Sequence, residues 1–136
     1  MKISMIKFRL FNRKFGRYDF DPNHWKINWD RNGFYVTPVF PHTCFLEFAL
    51  GRRSDDKRIQ LFSGDIISGT YKKKPIRAVL NLTKAGEILA DSGEATIPLS
   101  ELSNVSLIGN ANLDIFIKSP LLEAIDRYRA FNLDSN

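Results

Sequence analysis

The feature that most constrains this chain is hydrophobic alternation with a period of two, carried in short runs. In Ile6-Lys7-Phe8-Arg9-Leu10, three apolar side chains alternate with two cations. In Trp25-Lys26-Ile27-Asn28-Trp29 the same period recurs with indole rings at both ends. A strand sends successive side chains to opposite faces, so each run reads as a strand with one apolar face. On this pattern Tyr18, Phe20, Trp25 and Trp29 are expected in the core rather than on a surface that could stack bases.

Turn residues separate the runs. Asn32-Gly33 tolerates positive φ at both positions and suits a tight reversal into Phe34-Tyr35-Val36. Pro38 and Pro41 have no N–H for a ladder, which makes residues 37–41 an edge or loop. Residues 44–50 read as a strand and 51–58 as a polar loop. Short strands follow at 58–62 and 66–71, with a loop tip over 71–75. Residues 76–82 and 86–90 pair across Thr83-Lys84-Ala85-Gly86, and 95–99 and 105–110 close the series. Gly64, Gly69, Gly86, Gly93 and Gly109 punctuate the runs where turns or bulges are needed.

Only the C-terminal end has helical spacing. Ser119 is a cap, and Pro120 suits a first turn whose N–H has no partner in any case. Leu121, Leu122, Ile125 and Tyr128 share one side, and Glu123 and Arg127 stand four apart on the surface. The expected fold is therefore mainly β, or α+β with one C-terminal helix. It is a small twisted sheet or partly open barrel of short antiparallel strands, capped by a helix near residues 120–131, in a single domain over 1–136.

Composition narrows the function classes. Hydrophobic residues form 43% of the 136, with eleven Phe, enough for a packed core and too many for a disordered chain. No apolar run approaches the roughly 20 residues that cross a bilayer, and residues 1–7 lack a signal-peptide apolar stretch. The expectation is a cytoplasmic protein with no membrane partner. One cysteine, Cys44, leaves no intrachain disulfide and reads as a buried thiol. The net charge of +5 is uneven: residues 1–85 carry 17 Lys/Arg against 7 Asp/Glu, and residues 86–136 carry 3 against 8. Such asymmetry marks a polyanion-binding face, two attracting halves, or an acidic edge for a partner.

Catalytic patterns are missing from the sequence. His24 and His42 belong to no metal-ligand spacing, Ser63-Gly64-Asp65 is not a nucleophile elbow, and no phosphate-cradling glycine loop is present. Asp55-Asp56, between Arg53 and Lys57, reads as a solvated turn. No catalytic residue, metal ligand or cofactor is assigned. The best binding candidates are Arg52, Arg53, Lys72, Lys73 and Lys74, because arginine forks onto phosphates and lysine points charge at them. Lysines also blunt sheet edges, which is the plainer account of that cluster.

Three blocks of the chain are similar to a known family. Val105, Ile108, Gly109, Asn110, Pro120, Leu121 and Leu122 form an apolar strand, Ile-Gly-Asn, a spacer and Pro-Leu-Leu. Phe48, Gly51, Asp55 or Asp56, Gly64, Asp65, Ile66 and Ile67 form a second block, and Lys7, Phe8 and Arg9 a third. In this order they resemble the YopX-like proteins of phages and prophages, of which the chain looks like a divergent member. The resemblance implies a mostly β fold and supplies no catalytic residues. Gly64, Asp65, Gly109, Asn110 and Pro120 are read as an architectural signature: Asp65 accepts backbone N–H bonds in a turn, and Gly109-Asn110 ends the last strand in left-handed geometry.

The resulting expectation is a non-enzymatic phage or prophage accessory protein that binds a host or phage protein. Nucleic acid bound on a basic face is the alternative partner. An enzyme on a phosphate-bearing substrate is the second alternative; a pocket holding His24 or His42 beside two carboxylates would favour it. Self-association through an unpaired edge strand stays open.

Overall fold

A computed structural model describes residues 8–31, 33–83, 85–112 and 123–129. The chain is mainly β, a curled antiparallel half-barrel with a C-terminal helix. Strands β1 (Phe8–Asn12), β2 (Arg17–Asp19), β5 (Cys44–Arg53) and β6 (Gln60–Phe62) form one sheet in the order β2-β1-β5-β6. A five-stranded sheet runs β10-β9-β8-β7-β11. Its strands are β7 (Asp65–Tyr71), β8 (Lys74–Leu82), β9 (Ile88–Asp91), β10 (Thr96–Pro98) and β11 (Ser103–Asn110). Strands β3 (Trp25–Asp30) and β4 (Gly33–Pro38) make a separate hairpin, and helix α1 covers 123–129. Pro120 lies outside the described residues.

Three apolar clusters hold these layers together. The largest joins Ile67, Ala78, Leu80, Ala90 and Val105 of the five-stranded sheet to Leu50 and Leu61 of the first sheet, with Leu99 and Leu102 from a 3-10 turn. On the opposite face of β7 and β8, Ile66 and Val79 meet Ala124, Ile125 and Tyr128 of α1. The third cluster packs Trp25, Ile27 and Val36 of the hairpin on Leu10, Cys44 and Leu46. Ile66 and Ile67 thus face different clusters, as strand alternation requires. Cys44 is fully buried, and burial raises its thiol pKa.

Several sequence expectations shift by a residue or change sides. Asp30 pairs with Gly33, so Gly33 already belongs to β4 rather than to the reversal expected at Asn32-Gly33, of which Asn32 lies outside the described residues. Residues 51–53 extend β5 rather than starting a loop. Gly51, at φ +69°, sits within a register shift between Ala49 and Arg53 that lets the strand continue. Gly109 does not end β11 in a left-handed turn; it lies inside the strand at the register shift after Leu107. Trp29 and Phe20 are surface residues, 69% and 83% exposed. Trp29 shares the parity of Trp25 and Ile27 but lies past the edge of the core that they cover. Arg127 turns to Asp91 on β9, with bonds of 2.8 and 2.7 Å, instead of staying on a purely helical Glu123 pair.

Gly64 is the position where a side chain cannot enter. Its φ is +90°, and a Cβ there would stand 2.5 Å from the Tyr128 hydroxyl oxygen of α1. Gly51 has a similar φ but open space around it. Gly64→Ala is expected to lower stability by about 2–4 kcal/mol, from strain plus a clash, and Gly51→Ala by only about 1 kcal/mol. Urea unfolding of the two variants checks this; equal losses would show that the contact with Tyr128 is unimportant.

Candidate functional site

The buried polar residues converge where the two sheets meet. Arg9 and Glu47 are direct cross-strand partners in β1 and β5, and Asp65 and Asn110 are direct partners in β7 and β11. Arg9 links the pairs: its Nε donates to Glu47 Oε1 at 2.7 Å and its Nη2 to Asp65 Oδ1 at 3.1 Å. Asn110 Nδ2 donates to both carboxylates, Asn112 Nδ2 donates to Glu47 Oε2, and the Tyr18 hydroxyl donates to Glu47 Oε1. The Arg9 guanidinium lies between the rings of Tyr18 and Phe62, at 4.3 and 4.0 Å. Asp65 Oδ2 accepts from Phe62 N at 2.7 Å, the turn bond expected from the sequence.

Sequence reasoning recognised Asp65 and Asn110 as a signature and named Arg9 only within the Lys7-Phe8-Arg9 block, but missed Glu47. It also placed Arg9 opposite the apolar face of β1. The strand is covered on both sides: Phe8 and Leu10 pack into an apolar cluster, and Arg9 shares its face with the buried Phe11, whose ring meets Tyr18. Burial raises the Asp65 carboxyl to about 6, against the hydrogen bonds from Phe62, Asn110 and Arg9. Burial, reinforced by Glu47, also pushes the Tyr18 phenol above its ordinary value.

Alongside this network, a surface groove is lined by Asn12, Phe15, Arg17, Asp19, Phe20 and His24, with Tyr18 and Asp21. Its volume is about 390 Å³. Phe15 and Phe20 are strongly exposed at its rim, and the half-exposed Phe40 packs its edge against the His24 ring at 5.6 Å. Lys14 Nζ and the Arg17 guanidinium stand 5.7 and 5.5 Å from the Phe15 ring centre. His24 Nδ1 is 2.5 Å from Asp19 Oδ2, and Nε2 is 3.5 Å from Asp21 Oδ2. This is the histidine with two carboxylates that the enzymatic alternative asks for. The hydrogen bond to Asp19 raises the imidazole pKa, while the Asp21 N–H and then His24 lower that of Asp19. His42, also exposed, is not among the residues lining this groove. Among the described residues, no group of three or more His, Cys, Asp or Glu side chains is placed to hold a metal ion.

The five basic candidates divide. Arg52 Nη1 donates to the Leu99 carbonyl at 3.0 Å, and its Nη2 stands 3.6 Å from Asp55, which accepts from Val105 N. Arg53, the last residue of β5, donates from Nη1 to the Arg58 carbonyl of the loop that follows. Both arginines therefore brace the scaffold. Lys72 and Lys73 form the two-residue turn between β7 and β8, closed by the Tyr71–Lys74 pair, and all three lysines are exposed. Among the described residues, no helix is long and apolar enough to cross a membrane. No family model, curated protein or solved structure matches the chain.

Two measurements test these electrostatics. Arg9→Met leaves Glu47 and Asp65, 0% and 1% exposed, without their cation, and is expected to cost about 3 kcal/mol or more in urea unfolding. A loss below about 1 kcal/mol would mean that the asparagines alone suffice. The pH dependence follows from three groups. Asp65 binds its proton more tightly folded than unfolded, so stability rises as pH falls from about 6 towards 3.8. His24, with its raised value, adds stability below 6.5 that is lost as pH rises through its folded value. Asp19, with its lowered value, contributes above 3.8 and loses this as pH falls through its folded value. Thermal unfolding is therefore expected at higher temperature near about pH 5 than near about pH 7.5, with the difference reduced in Asp65→Asn and in His24→Asn. Identical profiles in both variants would overturn the assignment.

Proposed function

We infer that this chain is a divergent YopX-like phage or prophage protein that works by binding a host or phage protein, without catalysis. The observation that carries this reading is the group of exposed aromatic rings, Phe15, Phe20 and Phe40, around the His24 groove. Soluble proteins seldom leave large apolar rings gathered at one place unless the surface meets a partner. Aromatic and arginine side chains are also the usual anchors of protein interfaces. Arg17 and Lys14 beside Phe15 fit a partner that offers an apolar patch with acidic residues at its margin.

The placement of His24 supports binding over proton transfer. Both of its ring nitrogens face carboxylates, so the ring ties β2 to the 3-10 turn at Pro22–His24 and shapes the groove wall.

The test is affinity capture from bacterial lysate, with and without nuclease, using the wild-type chain and a Phe15→Ser, Phe20→Ser, Phe40→Ser variant. A bound protein that survives nuclease and weakens at least about tenfold in the variant is expected. The variant should unfold close to the wild type, because its changes are on the surface. Capture untouched by the three substitutions, or abolished by nuclease alone, would refute the reading.

A further inference from the structure

A second surface, on the β7–β8 hairpin, has a different chemistry. Ile66 and Val79 pair across these strands and are covered by α1. Two residues further along, on the same face, Ser68 pairs with Arg77, and Thr70 then pairs with Pro75. With Asn104 of β11, these residues line an open groove of about 510 Å³. The Arg77 side chain is exposed and has no hydrogen-bond or ion-pair partner among the described residues. The hairpin ends on Lys72, Lys73 and Lys74. Residues 66–86 contain no acidic residue at all.

Backbone geometry singles out the same place. Four non-glycine residues among those described have positive φ: Asn104, at 53°, lines this groove, and Lys72 and Lys73, at 48° and 68°, form the turn of the β7–β8 hairpin that carries it. A two-residue turn with both φ values positive is the setting in which Asn-Gly is favoured. Lysine adopts it at a cost. Strain of this kind tends to gather where a side chain is needed for something other than stability. Here it falls on two lysines at the tip of the hairpin that carries the groove, where the Lys72 ammonium stands 5.2 Å from the Tyr71 ring centre.

We propose that this groove binds the phosphodiester backbone of a nucleic acid, with Arg77, Ser68, Thr70 and Asn104 holding one phosphate and Lys72 and Lys73 meeting the next along the strand. Arg77 supplies a fork for phosphate oxygens, and the hydroxyls and amide add neutral donors. Four residues of strand separate Arg77 from Lys73, about 13 Å at about 3.3 Å per residue. That span exceeds a single phosphate group. No base-reading element is included, so recognition rests on the backbone and follows salt. The site replaces Arg52 and Arg53, which brace the scaffold, with Arg77, which sequence reading did not select. It is independent of the aromatic groove and of the protein partner proposed for it.

Fluorescence anisotropy of a labelled single strand and a labelled duplex, each about 20 nucleotides long, tests the proposal on the full chain. Inorganic phosphate and polyglutamate serve as competitors. At least one of the two nucleic acids should bind at low salt and weaken steadily as salt rises. Lys72→Asn with Lys73→Gly should unfold at the same or a higher temperature, since it relieves the turn, yet weaken binding about tenfold. It should also reduce the logarithmic salt slope by about 1.5. Arg77→Ala should weaken binding to a similar degree, and Asn104→Gly should separate stability from binding in the same sense as the lysine pair. The proposal is overturned if neither nucleic acid binds, or if these variants bind like the wild type. It is equally overturned if polyglutamate competes as well as the oligonucleotide, or if millimolar phosphate alone displaces it.

Discussion

The structure depends on one arrangement of buried charge, in which Arg9 is shared between Glu47 and Asp65. Each carboxylate has almost no exposure to water, and the guanidinium between them is mostly covered by two aromatic rings. Removing such charges from water is costly, and the cost is offset only when nearly every oxygen has a donor. Asn110, Asn112, Tyr18 and Phe62 N supply those donors. The consequence is register. A slip of one residue in either the β1–β5 or the β7–β11 pairing would carry one member of the network to the wrong face. The first sheet is thus joined to the second by groups that tolerate only one alignment, while the apolar clusters around them supply the bulk of the driving force.

That frame explains why the two candidate surfaces differ in character. The aromatic groove lies beside β2, the edge strand of the first sheet, where Tyr18 points inward to Glu47 and Phe20, past the strand's end, is exposed to solvent. The basic groove lies on the five-stranded sheet, where α1 covers one pair of residues on β7 and β8 and leaves the next pairs exposed. One surface offers apolar area with a few charges at its margin; the other offers cations and hydroxyls. The fold separates them by assigning them to different sheets.

Much of the fold was legible in the chain because strand alternation, turn residues and the helical spacing of Ile125 and Tyr128 are local signals. The β8–β9 hairpin, the turn at Lys72-Lys73 and the Asp65 bond to a backbone N–H follow from them. What was not legible depends on layers. Alternation says that Arg9 and Phe8 lie on opposite faces, but it does not say that both faces are covered. A cation opposite an apolar row therefore gave no sign that it is the centre of a polar network. Trp29 failed in the reverse way, since its parity fits the core and only the limited extent of the sheet beneath leaves it outside. The candidate sites show the same division. Lys72 to Lys74 are visible as a run in the sequence, whereas Arg77 joins Ser68 and Asn104 only through pairing with β7 and the proximity of β11.

The sequence distances inside the Arg9 network bear on how the polypeptide reaches its native state. Arg9 must find Glu47 and Asp65, 38 and 56 residues away, and Glu47 must find Asn112, a further 65 along. Strand β1 is an interior strand of its sheet, flanked by β2 and β5. During synthesis, the ribosome releases β1 and β5 long before the asparagines that complete their polar side. Until residue 112 emerges, the nascent segment holds an ionised cluster that cannot yet be sealed from water, and closure becomes a late step. Topology of this kind folds slowly, and it makes the final strand the event that commits the whole polypeptide.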